Sequence, residues 1–238
     1  MIRHGQSQFN LENRFAGWVD TDLTQSGIAQ AAAAGEALKK VGFVPDVVYV
    51  SPLTRTMRTA KIMFGDNASF VVDARLVERF YGDLSGKNKT QCLAEIGDEM
   101  FQKIRRGYET QPPAIKPDNN QIPAVNDVFN RLIKGTFTNE VPPTESLKDV
   151  ETRVKPFFES ALLPQLEQGK KVMIVAHGNS LRALIKLIKN IGPDQIAKVE
   201  LETAQPTGFV VAGGKVTADS LGQHLLDWHG QYTGSIAS

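Results

Sequence analysis

The amino-acid sequence predicts an α/β fold, a three-layer sandwich with a mostly parallel central sheet, and three observations lead there. Val47-Val48-Tyr49-Val50 and Lys171-Val172-Met173-Ile174-Val175-Ala176 are short β-branched and apolar runs of the kind that form strands buried on both faces. Each is followed by a tight polar loop and then a helical pattern. Strands that alternate with helices pair in parallel, because a helical crossover returns the chain to the same end of the sheet.

Local chemistry accounts for each element in turn. Thr24 supplies an N-cap side chain for a helix reaching Val41, with Ile28, Ala32, Leu38 and Val41 on roughly helical spacing. Pro45-Asp46 introduces the Val47 to Val50 strand, Ser51-Pro52 opens a helix through Phe64, and Ser69 to Val72 forms a further short strand. From about 88 to 145 the chain carries Pro112-Pro113, Pro117, Pro123 and Pro142-Pro143 among polar residues, with helical patterns over Cys92 to Arg106 and Val125 to Lys134. This segment reads as an insertion capping one end of the sheet within one domain spanning 1–238. Lys171 to Ala176 then runs through His177-Gly178 into a helix over Ser180 to Lys189. Phe209 to Ala212, Gly213-Gly214 and Lys215 to Thr217 predict a hairpin that closes the sheet edge, and the tail from Asp219 is helical at most.

Composition narrows the function. The 238 residues balance 27 Lys+Arg against 26 Asp+Glu, so a charge of +1 offers no bulk attraction to nucleic acid or an anionic membrane. With 41% hydrophobic and 22% charged residues the chain can bury a core, which excludes disorder. No apolar run approaches the roughly 18 residues of a membrane span, and Met1-Ile2-Arg3-His4-Gly5 has no signal-peptide pattern. The single Cys92 cannot form an internal disulfide, which suits a reducing, cytoplasmic setting.

Two of the four histidines share a context: Ile2-Arg3-His4-Gly5 and Val175-Ala176-His177-Gly178 each place His-Gly at an apolar strand end. In open α/β sheets ligands bind beyond the carboxyl ends of the strands, so neighbouring strands would aim both imidazoles into one crevice. The glycines allow a sharp turn, and the helix starts near Ser7 and Ser180 offer amide donors to an anion. His224 and His229 lack strand context and are assigned to surface or structure. No HExxH or CxxC spacing accompanies the pair, so no metal is expected. Arg3 abuts His4, and Arg55 and Arg58, three apart beyond the Val47 to Val50 strand, are placed to enter the same crevice. Forked guanidinium groups suit phosphate oxygens, and Arg14, Arg79, Lys89, Arg105, Arg106 and Arg182 are candidates to extend the site. A carboxyl beside a phosphate can protonate a leaving alkoxide, but composition alone does not separate Glu78 from Glu36 or Glu145.

That separation comes from a resemblance. Arg3-His4-Gly5-Gln6-Ser7-Gln8-Phe9-Asn10 and Glu12-Asn13-Arg14-Phe15-Ala16-Gly17-Trp18 closely resemble the histidine phosphatase superfamily. Glu78-Arg79-Phe80-Tyr81-Gly82, Asn88-Lys89, Arg105-Arg106, Pro112-Pro113 and His177-Gly178-Asn179-Ser180 continue the match in family order, and the insertion points to its cofactor-dependent phosphoglycerate mutase branch. The resemblance implies a phosphoglycerate mutase-like fold and a transfer in which His4 is phosphorylated on Nε2. His177, Arg3 and Arg55 would hold the phosphoryl oxygens, and Glu78 would be the acid and base. Asn10, Ala16, Gly17, Arg79, Tyr81, Lys89, Arg105, Arg106, Gly178 and Asn179 would hold small phosphorylated three-carbon acids. It further implies 2,3-bisphosphoglycerate as primer, no metal and a possible homo-oligomer.

Ala16 stands where a small polar residue is usual and Phe80 where a histidine is common, which removes polar groups, while Pro117 to Asn139 and the tail after Thr217 match poorly. A related phosphatase or bisphosphoglycerate synthase, and a catalytically silent phospho-ligand binder, are the alternative readings. Only Met1 to Arg3 precede His4, so either the true start lies upstream or a clipped first strand leaves ladder positions beside Val172 to Ala176 unpaired.

Overall fold

The computed structural model describes residues 1–66, 68–212 and 215–223. Four parallel strands form the central sheet: β1 (Ile2–Arg3), β2 (Val47–Val50), β3 (Phe70–Val72) and β4 (Val172–Ala176), in the order β1-β4-β2-β3. β4 pairs with β1 through Ile2↔Val175 and Arg3↔Ala176, and with β2 from Val47↔Val172 to Val50↔Val175. The short β1 therefore meets only the last two residues of β4.

Strand alternation distributes the apolar side chains to two helical layers. Ile2, Val48, Val50, Met173 and Val175 pack with Ala34 and Leu38 of α2 (Gln25–Lys40) and Ala60 and Met63 of α3 (Thr54–Phe64). Tyr49, Ile174 and Ala176 pack on the other face with α7 (Leu147–Phe157) and α9 (Gly178–Lys189). Helices thus cover both faces of a parallel sheet, which satisfies the three-layer expectation. Thr24 caps α2 by accepting a hydrogen bond from the Gly27 amide. The small residues of α2 let it approach α3 closely: a Cβ on Gly35 would lie 3.1 Å from the Met63 backbone.

Three expected elements differ. The segment from Cys92 to Arg106 is two helices, α4 (Lys89–Ile96) and α5 (Asp98–Arg106), because Gly97 adopts φ 77° and turns the chain between them. Around Val125 to Lys134 the helix starts earlier, as α6 (Ile122–Val128), and continues as a π turn over Phe129–Ile133. The hairpin forms, but β5 (Phe209–Ala212) and β6 (Lys215–Asp219) make a separate antiparallel sheet. The β1 edge is taken instead by residues 203–207, where Ala204 N donates to Arg3 O (2.9 Å) and Thr207 N to Met1 O (2.8 Å). The tail from 224 onward, with His224 and His229, lies outside the described residues.

The insertion packs through two apolar clusters. Val125, Val128, Phe129 and Ile133 meet Trp18, Val77 and Phe80, and Cys92, Phe101 and Ile104 meet Phe15 and Leu84. Phe80 is fully buried against Trp18, with ring centroids 5.0 Å apart, so it serves this core and does not face a polar site. No helix among the described residues is long and apolar enough to cross a membrane.

The turn after His4 lies directly on the start of α2. A Cβ on Gly27 would sit 2.1 Å from Gln6 O, and one on Gly5 2.4 Å from Gly27 O, both backbone atoms. Gly27→Ala is therefore expected to destabilise the protein by about 2 kcal/mol through overpacking. Urea unfolding measures it, and an unchanged midpoint contradicts the contact.

Candidate active site

Three strand ends converge because β4 holds its neighbours at its own carboxyl end. His4 N donates to Ala176 O and Ser51 N to Val175 O, each at 3.1 Å, and His177 follows β4 directly. Both imidazoles are buried, with ring centroids 5.2 Å apart. The Gly5 amide donates to Thr59 Oγ1 (3.1 Å), fixing the turn. His4 Nδ1 lies 2.7 Å from Gly5 O. A carbonyl only accepts, so Nδ1 carries the proton and Nε2 the lone pair. His177 Nε2 lies 2.8 Å from Ser51 Oγ, and its backbone N–H donates to Ser180 Oγ.

Burial, reinforced by Arg55 and Arg3, holds His4 well below the ordinary imidazole range. Burial, Arg55 and then His4 do the same for His177, so both rings are neutral near pH 7. Burial also pushes Arg55 down to about 10, which leaves it charged. Its NH1 and NH2 donate to Val19 O (3.0 Å) and Gly17 O (2.8 Å), while its Nε has no partner among the described residues. Gly17 has φ 52° and lies so close to the Arg79 carbonyl that a Cβ would come within 3.2 Å. Arg3 NH1 donates to Leu201 O (3.0 Å), and its Nε is likewise buried without a partner.

Next to the imidazoles, across Arg3 and Gly178, is a cavity of about 150 Å³ lined by Arg3, Glu78, Lys89, Arg105, Asn179 and Arg182, among others. Lys89 and Arg105 come from the insertion, so its packing carries cations to the sheet end. Burial, then Arg105 and Arg3, push Lys89 down to about 8. Burial and Arg106 lower Arg105, and burial with Arg79 and Arg106 brings Arg182 to about 10. Arg79 is fully buried with all three side-chain nitrogens unpartnered among the described residues, its guanidinium 4.5 Å over the Tyr81 ring. Buried donors left without acceptors are costly, and an anion with several oxygens supplies acceptors to such a set.

Glu78 faces this cavity under restraint. Its Oε1 accepts from Arg79 N (2.7 Å), Asn179 N (3.2 Å) and Asn179 Nδ2 (3.0 Å). Asn179 Nδ2 also donates to Tyr81 Oη (3.0 Å). The other oxygen, Oε2, is not crowded from the Gly178 side, where a Cβ would stand 3.7 Å away in ordinary contact. Behind Glu78, the buried Arg153 donates through Nε to Glu145 Oε1 (2.8 Å) and through NH2 to the carbonyls of Val77 (2.9 Å) and Glu78 (3.0 Å). Glu145 accepts in turn from Phe80 N (2.7 Å). The backbone on both sides of Glu78 is thus clamped by one ion pair.

Of the expected residues, Arg3, Glu78, Tyr81, Lys89, Arg105, Arg106, Gly178 and Asn179 line this cavity, Arg106 also pairing with Glu200, whereas His4, His177, Arg55, Gly17 and Arg79 lie outside its lining, tied to it through Arg3, Glu78 and Tyr81. Asn10 does not join the 150 Å³ cavity. Its Oδ1 accepts from Ser7 N and Ser7 Oγ, capping α1 (Gln8–Leu11), and it lines a separate 530 Å³ cavity with Arg3, Gln6 and Gln30. Ala16 contributes a carbonyl to Val19 N and sits half-buried beside Gly17. Arg58, expected in the crevice, is drawn to the surface by Asp22, and Arg14 is held by Glu12 and Gly86 O. The roles of Ser51, Thr59, Glu145 and Arg153 escaped sequence reasoning. Ser51 alone carried a signal, since it follows the apolar run Val47–Val50 as His4 and His177 follow theirs.

Two buried, neutral imidazoles at adjoining strand ends, among guanidinium groups with donors to spare, are the equipment of a phosphate-handling enzyme on a parallel α/β sheet. The chain belongs to the histidine phosphatase superfamily, branch 1, whose family model matches residues 1–133 and 118–224. It is 47% identical over 210 residues to a 2,3-bisphosphoglycerate-dependent phosphoglycerate mutase of Bifidobacterium longum, covering 87% of this chain and 82% of the relative. A protein of the same name from Zymomonas mobilis is 42% identical, covering 87% and 89%. Among solved structures, a mycobacterial glucosyl-3-phosphoglycerate phosphatase in complex with VO3 aligns with TM-score 0.63 at 26% identity, covering 86% and 88%. The Bacillus stearothermophilus protein YhfR shares the fold, with TM-score 0.67 at 23% identity and coverage of 91% and 92%.

The buried imidazoles also set acid stability. Unfolded, they bind protons near pH 6.5; folded, only well below it, so the unfolded state binds more protons in that window. Stability is present above about pH 6.5 and is lost as pH falls below it. Urea midpoints should therefore drop between about pH 7.5 and about pH 5, and His4→Gln should reduce that slope by about one proton's contribution, the buried Met1 amine, lowered to about 5, adding to the remainder with His177. Identical slopes in the variant and the parent contradict a buried neutral His4.

Proposed function

We propose that this chain interconverts 3-phosphoglycerate and 2-phosphoglycerate through a phosphohistidine at His4. The observation that carries the reading is the pairing of a His4 Nε2 lone pair, fixed by the Nδ1 bond to Gly5 O, with a cavity of cations contributed by the insertion. The relatives named as phosphoglycerate mutases, at 41 to 47% identity, support it. The unpartnered nitrogens of Arg3, Arg55 and Arg79, together with Lys89, Arg105 and Arg106, fit a ligand with two phosphates and a carboxylate. When bound, 2,3-bisphosphoglycerate would supply the phosphoryl group that primes His4.

His4 Nε2 attacks phosphorus as the phosphorus–oxygen bond to the glycerate breaks, while Arg3, Arg55 and His177 hold the three equatorial oxygens. Glu78, through Oε2, gives a proton to the departing alkoxide and takes one from the hydroxyl that attacks on return. Lys89, Arg105 and Arg106 hold the carboxylate and the second phosphate while the glycerate turns over. The segment 88–145 then acts as a cap within a single domain. Its cations retain the intermediate, which is what separates a mutase from a hydrolase. The free Cys92 fits a cytoplasmic enzyme, and Val71 and Val72, exposed on the β3 edge, fit a homo-oligomer.

The likeness to a phosphatase structure favours hydrolysis as the second reading. One assay separates the two. Flux from 3-phosphoglycerate to 2-phosphoglycerate should depend on added 2,3-bisphosphoglycerate and disappear in His4→Ala. Steady phosphate release from several monoesters without that primer overturns the mutase reading.

Lys89 gives a pH signature. It is charged below about 8 and loses its proton above it, while the substrate phosphate, with its second pKa at about 6, stays doubly ionised. kcat/KM should therefore fall as pH rises through about 8, and Lys89→Arg should move that limb upward. A profile unchanged by the substitution contradicts a charge contact from Lys89.

A further inference from the structure

We infer that Ser51 is a positioning residue that sets the tautomer of His177: its hydroxyl donates to Nε2, so the ring proton sits on Nδ1, the nitrogen left free to bond a phosphoryl oxygen carried by His4. The inference deepens the phosphoryl-transfer reading and rests on it for its purpose. Hydrogen-bond counting carries it. Ser51 is fully buried at the end of β2, its backbone N–H is used by Val175 O and its carbonyl by Thr56 Oγ1 (2.8 Å). Among the described residues, His177 Nε2 at 2.8 Å is the sole partner of its hydroxyl. His177 Nδ1 is buried with no partner among the described residues.

A neutral imidazole has one proton to place. On Nε2 it would bond Ser51 Oγ, but the Ser51 O–H would be buried without an acceptor, and a bare lone pair on Nδ1 would repel phosphoryl oxygens. On Nδ1 it frees Nε2 to accept from Ser51, and the ring's only unmet group is a donor of the kind a transferring phosphoryl group needs. The neutral state itself follows from burial and from Arg55, which keep the second proton off the ring. Ser51 thereby does for His177 what the Gly5 carbonyl does for His4, in the opposite sense: one holds a donor outward, the other an acceptor.

Long-range proton–nitrogen correlation on the resting protein, labelled at histidine nitrogens, reads the tautomer without substrate. Nδ1 of His177 should appear protonated and Nε2 unprotonated, whereas the reverse pattern overturns the assignment even if every variant fails to fold. Ser51→Ala should mix the two tautomers and lower kcat about tenfold to a hundredfold while KM changes less than about threefold. Ser51→Thr, which keeps the hydroxyl, should restore both the spectrum and most of kcat. A Ser51→Ala enzyme with the parent kcat overturns the role. The spectrum decides this inference and the primer-dependence assay decides the mutase reading, so each can fail without the other.

Discussion

The last two carbonyls of β4 accept the backbone N–H groups of Ser51 and His4, and the same strand runs on into His177. The three strand ends that carry His4, Ser51 and His177 are thereby tied to a single hydrogen-bonded edge. In the register Arg3↔Ala176 and Val50↔Val175, a slip of one residue would turn His4 or Ser51 to the other face of the sheet. The core enforces the register, because Ile2, Val48, Val50, Met173 and Val175 must face α2 and α3 while Tyr49, Ile174 and Ala176 face α7 and α9. Packing thus fixes the relative height of two imidazoles more tightly than any contact between them.

Electrostatics builds on that frame. A chain with a charge of +1 gathers Arg3, Arg55, Arg79, Lys89, Arg105, Arg106 and Arg182 around one sheet end. Burying cations together is unfavourable, and the strain is visible in Lys89 lowered to about 8 and in the guanidinium nitrogens of Arg79 without acceptors. Burial, reinforced by the same field, keeps both imidazoles neutral, which leaves a lone pair on His4 Nε2. The Glu145–Arg153 pair supplies support from behind: it clamps the Val77 to Phe80 backbone and so fixes the chain that carries Glu78. A bound polyanion would relieve the cation repulsion.

Much of this was legible in the sequence, and for a physical reason. His4 and His177 were found because their position is local information: an apolar run, then His-Gly, marks a strand end wherever it occurs. The three layers followed from the alternation of strands and helices. What escaped was set by contacts distant in the chain. Arg153 serves Glu78 across 75 positions, and Arg58 is turned outward by Asp22, 36 residues away. Asn10 is tied to a helix cap by Ser7, three residues away. The hairpin is legible in the sequence but its place is not, since only the pairing of Ala204 and Thr207 with β1 shows that the edge is already taken.

The central claim is that a neutral, fixed His4 Nε2 receives a phosphoryl group. Intact-mass measurement after mixing the protein with 2,3-bisphosphoglycerate tests it most directly. The protein should gain one phosphoryl group that survives alkali, is lost in acid and is absent from His4→Gln. A protein that gains no mass, or whose His4→Gln variant gains the same mass, would contradict it.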